Sequence, residues 1–246
     1  MKLVPSNILQ RLDKLQKLCV EGCPKIESVV FKDKNEEVAD DRTLMPQLWY
    51  LRISDMENLK SFYSSSTASN AQSLFNHQVA FPLLENFELE GCASLRYSFH
   101  PYMGDLVNLR EIIIKHCPEM RAVISTENDK EEEVEDRQQR ETKTTMFPNL
   151  SKLELHHLQE LKLFCHYTRP LEFPLLRQMA ICYCPSMDSF SLGHVRALDL
   201  SLKGISHKIG KIDSDDTTVT AQKNQEDEEP KNGGKKIFGR ISIEEA

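Results

Sequence analysis

The apolar positions of this chain recur in a fixed frame. Counted from a leading leucine, they fall at +0, +3, +5, +8, +11 and +14. The first copy is Leu15, Leu18, Val20, Cys23, Ile26, Val29, and the second is Leu48, Leu51, Ile53, Met56, Leu59, Phe62. The third is Leu84, Phe87, Leu89, Cys92, Leu95 and Ser98, with Phe99 one step late. Leu109, Ile112, Ile114, Cys117, Met120, Val123 make the fourth, and Leu150, Leu153, Leu155, Leu158, Leu161, Phe164 the fifth. The sixth is Leu176, Met179, Ile181, Cys184, Met187, Phe190, and a degenerate seventh starts at Val195 with Leu198 and Leu200. Positions +3 and +5 alternate with polar neighbours, as in a short strand with one buried face. Leu18 and Val20 are thus expected inward, and Lys17, Cys19 and Glu21 outward. The residues at +8, +11 and +14 are expected to turn the chain back over that face.

One such strand cannot bury its apolar side alone, so copies must stack into a parallel sheet with a shared core. The anchors are 33, 36, 25, 41 and 26 residues apart. The short spacings lie in the range of roughly 20–29 residues of leucine-rich repeats. The expected fold is α/β: a leucine-rich-repeat solenoid curved as a horseshoe, with a parallel sheet on the concave face and an irregular convex side. It is expected to occupy residues 1–205. The long spacings carry insertions near 32–43, 63–80 and 125–145, which lack apolar residues to pack and read as loops. Residues 206–246 read as a disordered acidic and polar tail, whose closing IFGRISIEEA is too short to fold alone.

Composition narrows the function classes. The 246 residues carry a net charge of −7, which disfavours a general nucleic-acid binder. No run of about 18 apolar residues is present, so no membrane span is expected. The opening MKLVPSNILQRLDKLQ lacks the apolar core of a secretory signal, and seven cysteines is an odd count. These features set the expectation of a cytoplasmic protein with reduced thiols. Oligomeric state is not set by any of them.

Three motifs point to a family. Phe-Pro precedes the strand at Phe81-Pro82, Phe147-Pro148 and Phe173-Pro174, with Met45-Pro46 as a weaker copy. A Cys-Pro step follows the strand in EGCPKIESV, KHCPEMRAV and CYCPSMDSF. The opening VPSNILQRLDKLQKLCVEGCPKI leads into a repeat in a related style. Over residues 3–200 the chain resembles the C-terminal leucine-rich repeats of plant nucleotide-binding disease-resistance proteins of the coiled-coil class. The resemblance implies a recognition module that meets a pathogen effector, a guarded host protein or the receptor's own nucleotide-binding module. The family's nucleotide-binding module has no counterpart here. No Gly-x-x-x-x-Gly-Lys-[Ser/Thr] occurs, and no cofactor is expected.

Cys182 and Cys184, with His156-His157 and Cys165-His166 upstream, suggest a metal. Yet no paired C-x-x-C spacing occurs, and Met56 and Leu158 replace cysteine at +8. A small buried slot tolerates that exchange and a ligand set does not, so no metal is expected and the cysteines read as core. No spacing sets a nucleophile beside a base, so no catalytic residue is nominated and the chain is read as a non-enzyme. Asn149-Leu150-Ser151 matches a glycosylation sequon, read as coincidence. The candidate site is the outward strand face: Tyr50, Arg52, Asn86, Glu88, Glu90, Glu111, Ile113, Lys115, Lys152, Glu154, His156 and Gln178. Lys17, Cys19, Glu21, Ser54, Ala180 and Cys182 complete the same rows. Tyr50, Arg52 and Ile113 are residue types that anchor protein interfaces. The acidic stretch 127–136 reads as a contact for a basic partner surface or as solvated sequence. The alternative to a recognition module is a gene fragment of such a receptor with no activity of its own, since no polar cap precedes the first repeat.

Overall fold

A computed structural model describes residues 2–5, 12–31, 45–64, 73–75, 81–100, 106–124, 147–166, 171–191, 195–197, 201–203 and 240–244. The strands at +2 to +6 form as the alternation requires. They are β2 (Lys17–Glu21), β4 (Tyr50–Ser54), β7 (Asn86–Glu90), β9 (Glu111–Lys115), β11 (Lys152–His156) and β14 (Gln178–Cys182). Each pairs in parallel with the next, residue for residue across all five positions. A shorter strand, β16 (Ser201–Lys203), continues the sheet beyond β14. On the other edge β17 (Arg240–Glu244) pairs antiparallel with β2.

A second layer was not expected. Short strands stand where each repeat returns, at +13 to +15 or just past it: β3 (Ser28–Phe31), β5 (Ser61–Ser64), β8 (Tyr97–Phe99), β10 (Ala122–Ile124) and β12 (Leu163–Cys165). With β1 (Lys2–Pro5) and β6 (Ser73–Phe75) they form parallel sheets in the orders β1-β3-β5 and β6-β8-β10-β12. A further pair joins β13 (Leu171–Phe173) to β15 (Val195–Ala197). Among the described residues the elements are strands and turns, without a helix, so the α part of the expected α/β class is not met. Returns of three or four residues, about one helical turn, are too short for a helix with its own apolar face.

Three further expectations are corrected. The stretch 63–80 is not all loop: β6 lies within it, and Leu74 and Phe75 are fully buried. These two apolar residues in an otherwise polar run are enough to recruit the segment to the core. The seventh repeat is shifted, because Val195 pairs with Leu171 in the second layer and Leu202 takes the register of Met179. Within the expected disordered tail, Arg240–Glu244 is a strand, and 206–239, 245 and 246 lie outside the described residues. So do 32–43 and 125–145.

The core lies between the layers and follows the repeat frame. Leu15, Leu48, Leu84, Leu109, Leu150 and Leu176 are all buried, as are the inward strand residues. A run of phenylalanines links the repeats: Phe75 touches Phe62, Phe81, Phe87 and Phe99 at centroid distances of 5.3–5.7 Å. Phe99 continues to Phe147 at 5.6 Å. Such tilted and edge-on pairs add to the burial of the rings. The late Phe99 is no slip. Tyr97 pairs with Ala122 and Phe99 with Ile124, so Ser98 holds the slot of Val123. Its buried hydroxyl stands 3.8 Å from Met120 Sδ.

The Phe-Pro and Cys-Pro motifs perform the same task. In the first, the anchor leucine N–H donates to the carbonyl three residues back: Leu84 to Phe81, Leu150 to Phe147, Leu176 to Phe173. In the second, Ile26 donates to Cys23, Met120 to Cys117 and Met187 to Cys184. Both are turns with proline at the second position, where its fixed φ suits the turn and its missing N–H costs nothing. The cysteine thiols donate to the carbonyl two residues back: Cys23 to Glu21, Cys92 to Glu90, Cys117 to Lys115 and Cys184 to Cys182, at 3.3–3.5 Å. That accounts for cysteine as a small apolar group carrying one weak donor. Burial and the neighbouring Cys117 thiol place the Cys92 thiol well above its ordinary range, the thiol–thiol contact contributing most.

Each of the six strands β2, β4, β7, β9, β11 and β14 is followed by a residue at positive φ: Gly22, Asp55, Gly91, His116, His157 and Tyr183, between 53° and 65°. Their N–H groups cross to the next repeat, Gly22 to Ser54, Asp55 to Glu90, Gly91 to Lys115, His116 to His156 and His157 to Cys182, at 3.0–3.1 Å. A Cβ on Gly91 would lie 2.6 Å from Asp55 Oδ1. Gly91→Ala should therefore lose about 1–2 kcal/mol in urea unfolding, from left-handed strain plus this contact. Adding Asp55→Gly should recover only the steric part. Phe87→Ala, which empties a fully enclosed site, should cost about 3–5 kcal/mol.

Candidate functional site

The twelve candidate residues come together on one surface. In-register pairing puts Tyr50, Asn86, Glu111, Lys152 and Gln178 in one row across five strands. Arg52, Glu88, Ile113, Glu154 and Ala180 make the second row. The third runs Glu21, Ser54, Glu90, Lys115, His156, Cys182. All twelve are partly exposed or exposed, because each lies on the side of the sheet away from the core. Ser54, a member of the third row, does not share that exposure. It is buried, and its hydroxyl has no hydrogen-bond partner among the described residues.

The charges are organised as two networks. In the first, Arg52 lies 3.7 Å from Glu88 and 3.4 Å from Glu90. Tyr50 joins it through a hydrogen bond from its hydroxyl to Glu88. Burial, then the Glu88 charge, pushes the Tyr50 phenol up to about 12, so it stays a donor. Burial opposes the Arg52 charge, but Glu88, Tyr50 and Glu90 outweigh it and raise the guanidinium further. In the second network, Glu154 meets Lys152 at 3.2 Å, Lys115 at 3.5 Å and His156 at 3.7 Å, and Lys152 also reaches Glu111 at 3.9 Å. Burial raises the Glu154 carboxyl, yet the Lys152 hydrogen bond and the charges of Lys152, Lys115 and His156 bring it below its ordinary value. His156 is lowered, by burial first and then by Lys115, against the pull of Glu154.

Ile113 sits between the two networks, with Glu88 and Glu154 as its register neighbours. It is an aliphatic side chain at the middle of a charged face, with its partners' charges already spoken for on either side. For Asn86 and Gln178 the structure adds only their place in the first row.

Two features were missed at the level of sequence. Trp49 precedes β4, with its ring 5.9 Å from Tyr50 edge-on and Lys17 Nζ 5.3 Å above it. The second is a stack at the positive-φ position: His116 on His157 at 4.6 Å and His157 on Tyr183 at 4.5 Å, with planes within 12°. Tyr183 is 60% exposed. The signal was available, since aligning the copies puts these rings in one column after Gly22, Asp55 and Gly91. That column was not read because it carries no apolar period.

A family model described as plant disease resistance protein RPS2-like, leucine-rich repeats, matches residues 1–118 and 69–200. No curated protein and no solved structure matches the chain.

The two shifted groups have the same consequence for stability. His156 and Glu154 both hold protons less readily in the folded chain than their ordinary values of 6.5 and 4.5. The unfolded chain then binds more protons, so stability rises with pH through both windows. The His156 penalty should appear as pH falls below about 6.5, and the Glu154 contribution should fade further down, as pH drops below about 4.5. In urea midpoints measured from pH 8 to 3, His156→Asn should flatten the upper window and Lys152→Met the lower.

Proposed function

This chain belongs to the leucine-rich-repeat family of RPS2-like plant disease resistance proteins, and from that membership we propose that it is the recognition module of a plant innate-immunity receptor. Its partner is a protein: a pathogen effector, a guarded host protein or the nucleotide-binding module of a receptor. The contact surface is the outward face of the β2–β14 sheet. The observation that carries this reading is the placement of Ile113 between two ion-pair networks, Arg52–Glu88–Glu90 and Lys152–Glu154–Lys115. An apolar centre with a rim of charged groups is the arrangement of a protein interface.

The networks also bear on specificity. Charges paired within the face present a fixed pattern rather than a net field, and so select by complementarity of position. The reading is of a binding module and not an enzyme. It places the chain in the cytoplasm and the stacked repeats in a curved solenoid whose concave side is this face. In that geometry a partner would be met by several strands at once.

Co-purification with the nucleotide-binding module of an RPS2-like receptor, or with an effector recognised by such a receptor, tests the proposal. Ile113→Asp should cut the retained partner at least tenfold, about the effect of losing a 1.4 kcal/mol contact at an interface centre. Leu175→Asp, at an exposed turn residue away from the face, should leave it unchanged. Equal retention of both variants by a folded chain would remove the face from the interface.

A further inference from the structure

Both ends of the described chain close the same end of the stack. In the second layer, β1 pairs in parallel with β3, and Leu3 and Val4 pack against the core. In the main sheet, β17 pairs with β2. Without β17, the first strand of the array would present an open row of main-chain donors and acceptors, a template for any extended chain.

The register is informative. Ile241 lies opposite Val20 and Ile243 opposite Leu18. Arg240 lies opposite Glu21 and Glu244 opposite Lys17. The β2 positions thus ask for a basic residue, two β-branched apolar residues at alternate positions, and an acidic residue, in antiparallel order. A slip by one residue sets isoleucine against Glu21 and Cys19. A slip by two takes Arg240 away from Glu21. A reversal of direction sets Glu244 against Glu21 and Arg240 against Lys17. Alternation and end charges therefore select one alignment, as a specified edge pairing must.

The covering strand is also a distant one in sequence. β16 ends at Lys203 and β17 begins at Arg240. Between them the chain must pass from one edge of an eight-stranded sheet to the other, about 34 Å at the usual strand spacing. The intervening residues could reach about 120 Å if extended, so the pairing leaves ample slack. A five-residue strand separated from the array by 36 residues of sequence acts as an intramolecular ligand, at an effective concentration of millimolar order or below.

We propose that the edge of β2 is a strand-acceptor site, occupied in cis by Arg240–Glu244, and that it takes an extended segment of a protein partner with the same pattern. The partner segment carries a basic residue, two β-branched apolar residues at alternate positions and an acidic residue, and it adds antiparallel to β2. This site is the sheet's edge and does not rest on the reading of its outward face.

The test keeps the full chain and opens the edge by Ser242→Pro with Glu244→Pro. On the β4 side the Tyr50 N–H donates to Gln16 and the Gly22 N–H to Ser54, so Lys17, Cys19 and Glu21 turn their main-chain groups to β17. The two prolines remove the donors that face Cys19 and Lys17. The probe is a labelled synthetic peptide of residues 237–246. It should bind the double-proline variant saturably, and the unaltered chain at least tenfold more weakly, by fluorescence anisotropy. Adding Glu21→Arg to the variant should weaken binding about two- to fivefold, and a peptide with Arg240→Glu should recover that loss. Hydrogen exchange should show faster exchange at Lys17, Cys19 and Glu21 in the variant, with Lys152–His156 as protected as before, which certifies that the array is folded. Absence of saturable binding, or equal binding to both chains, would overturn the proposal. So would a dimer of the unaltered chain that the prolines dissolve, because β17 would then sit on a second copy.

Discussion

The constraint on which this structure turns is a main-chain one. Each of the strands β2, β4, β7, β9, β11 and β14 is followed by a residue held at positive φ, and from Gly22 to His157 that residue's N–H reaches the carbonyl at the end of the neighbouring strand. The bond keeps successive repeats in register one residue beyond the ladder itself. Only glycine enters this conformation without cost, and Asp and His are among the better-tolerated alternatives. Asp55, His116 and His157 accept the strain with their N–H groups bonded to the next repeat, and Tyr183 stacks on His157. Side-chain ties support the same stacking: Asn58 donates to the Pro24 carbonyl, Asn108 to Pro82 and Asn149 to Val107, at 2.6–2.7 Å. Once the repeats are aligned in this way, the leucines and phenylalanines have one shared interior to fill.

What could be read from the sequence follows from that division of labour. The inward residues Leu18, Val20, Ile53 and Leu155 obey a strict period, since a one-residue slip would turn them to solvent. They were legible, and with them the twelve outward positions. The second layer was not, because its strands are three or four residues long, too short to show an alternation. Its residues are also buried on both flanks, as at Tyr97–Phe99 and Ala122–Ile124. Leu74 and Phe75 were hidden for a related reason, being two apolar residues in a polar stretch without a repeat anchor of their own. The strand Arg240–Glu244 has the required alternation but stands far from its partner β2 in sequence, and pairing at that distance has no local sign.

The outward face shows why position and environment are separate questions. Its residues were located correctly by period alone, yet their electrostatic state depends on which neighbours the register supplies. Lys152 lies beside both Glu111 and Glu154, and Arg52 beside both Glu88 and Glu90. These are pairs between residues 36 to 41 apart in sequence on neighbouring strands, or two apart on one strand. At the surface such pairs add little stability individually. Their consequence here is order: long side chains that would otherwise sample many rotamers are held against the sheet, and Ile113 is left as the uncharged point between them.

A partner approaching this face would meet groups whose charges are already balanced, and displacing them would cost what the networks gain. In the proposed interface, affinity would then come from two other places on the same surface. One is the apolar centre at Ile113, where burial returns free energy without breaking an ion pair. The other is the ring column His116–His157–Tyr183, whose last member is largely exposed and whose rings are already ordered by mutual stacking. Rigid aromatic surface loses little entropy on contact, which favours it as an anchor over the flexible lysines and glutamates around it. The column lies just past the ends of β9, β11 and β14, the first two of which carry Lys115, Glu154 and His156. The half of the face from β9 to β14 therefore combines an apolar centre, a preformed charge pattern and an ordered aromatic border, whereas Gly22, Asp55 and Gly91 leave the β2 to β7 half without that border.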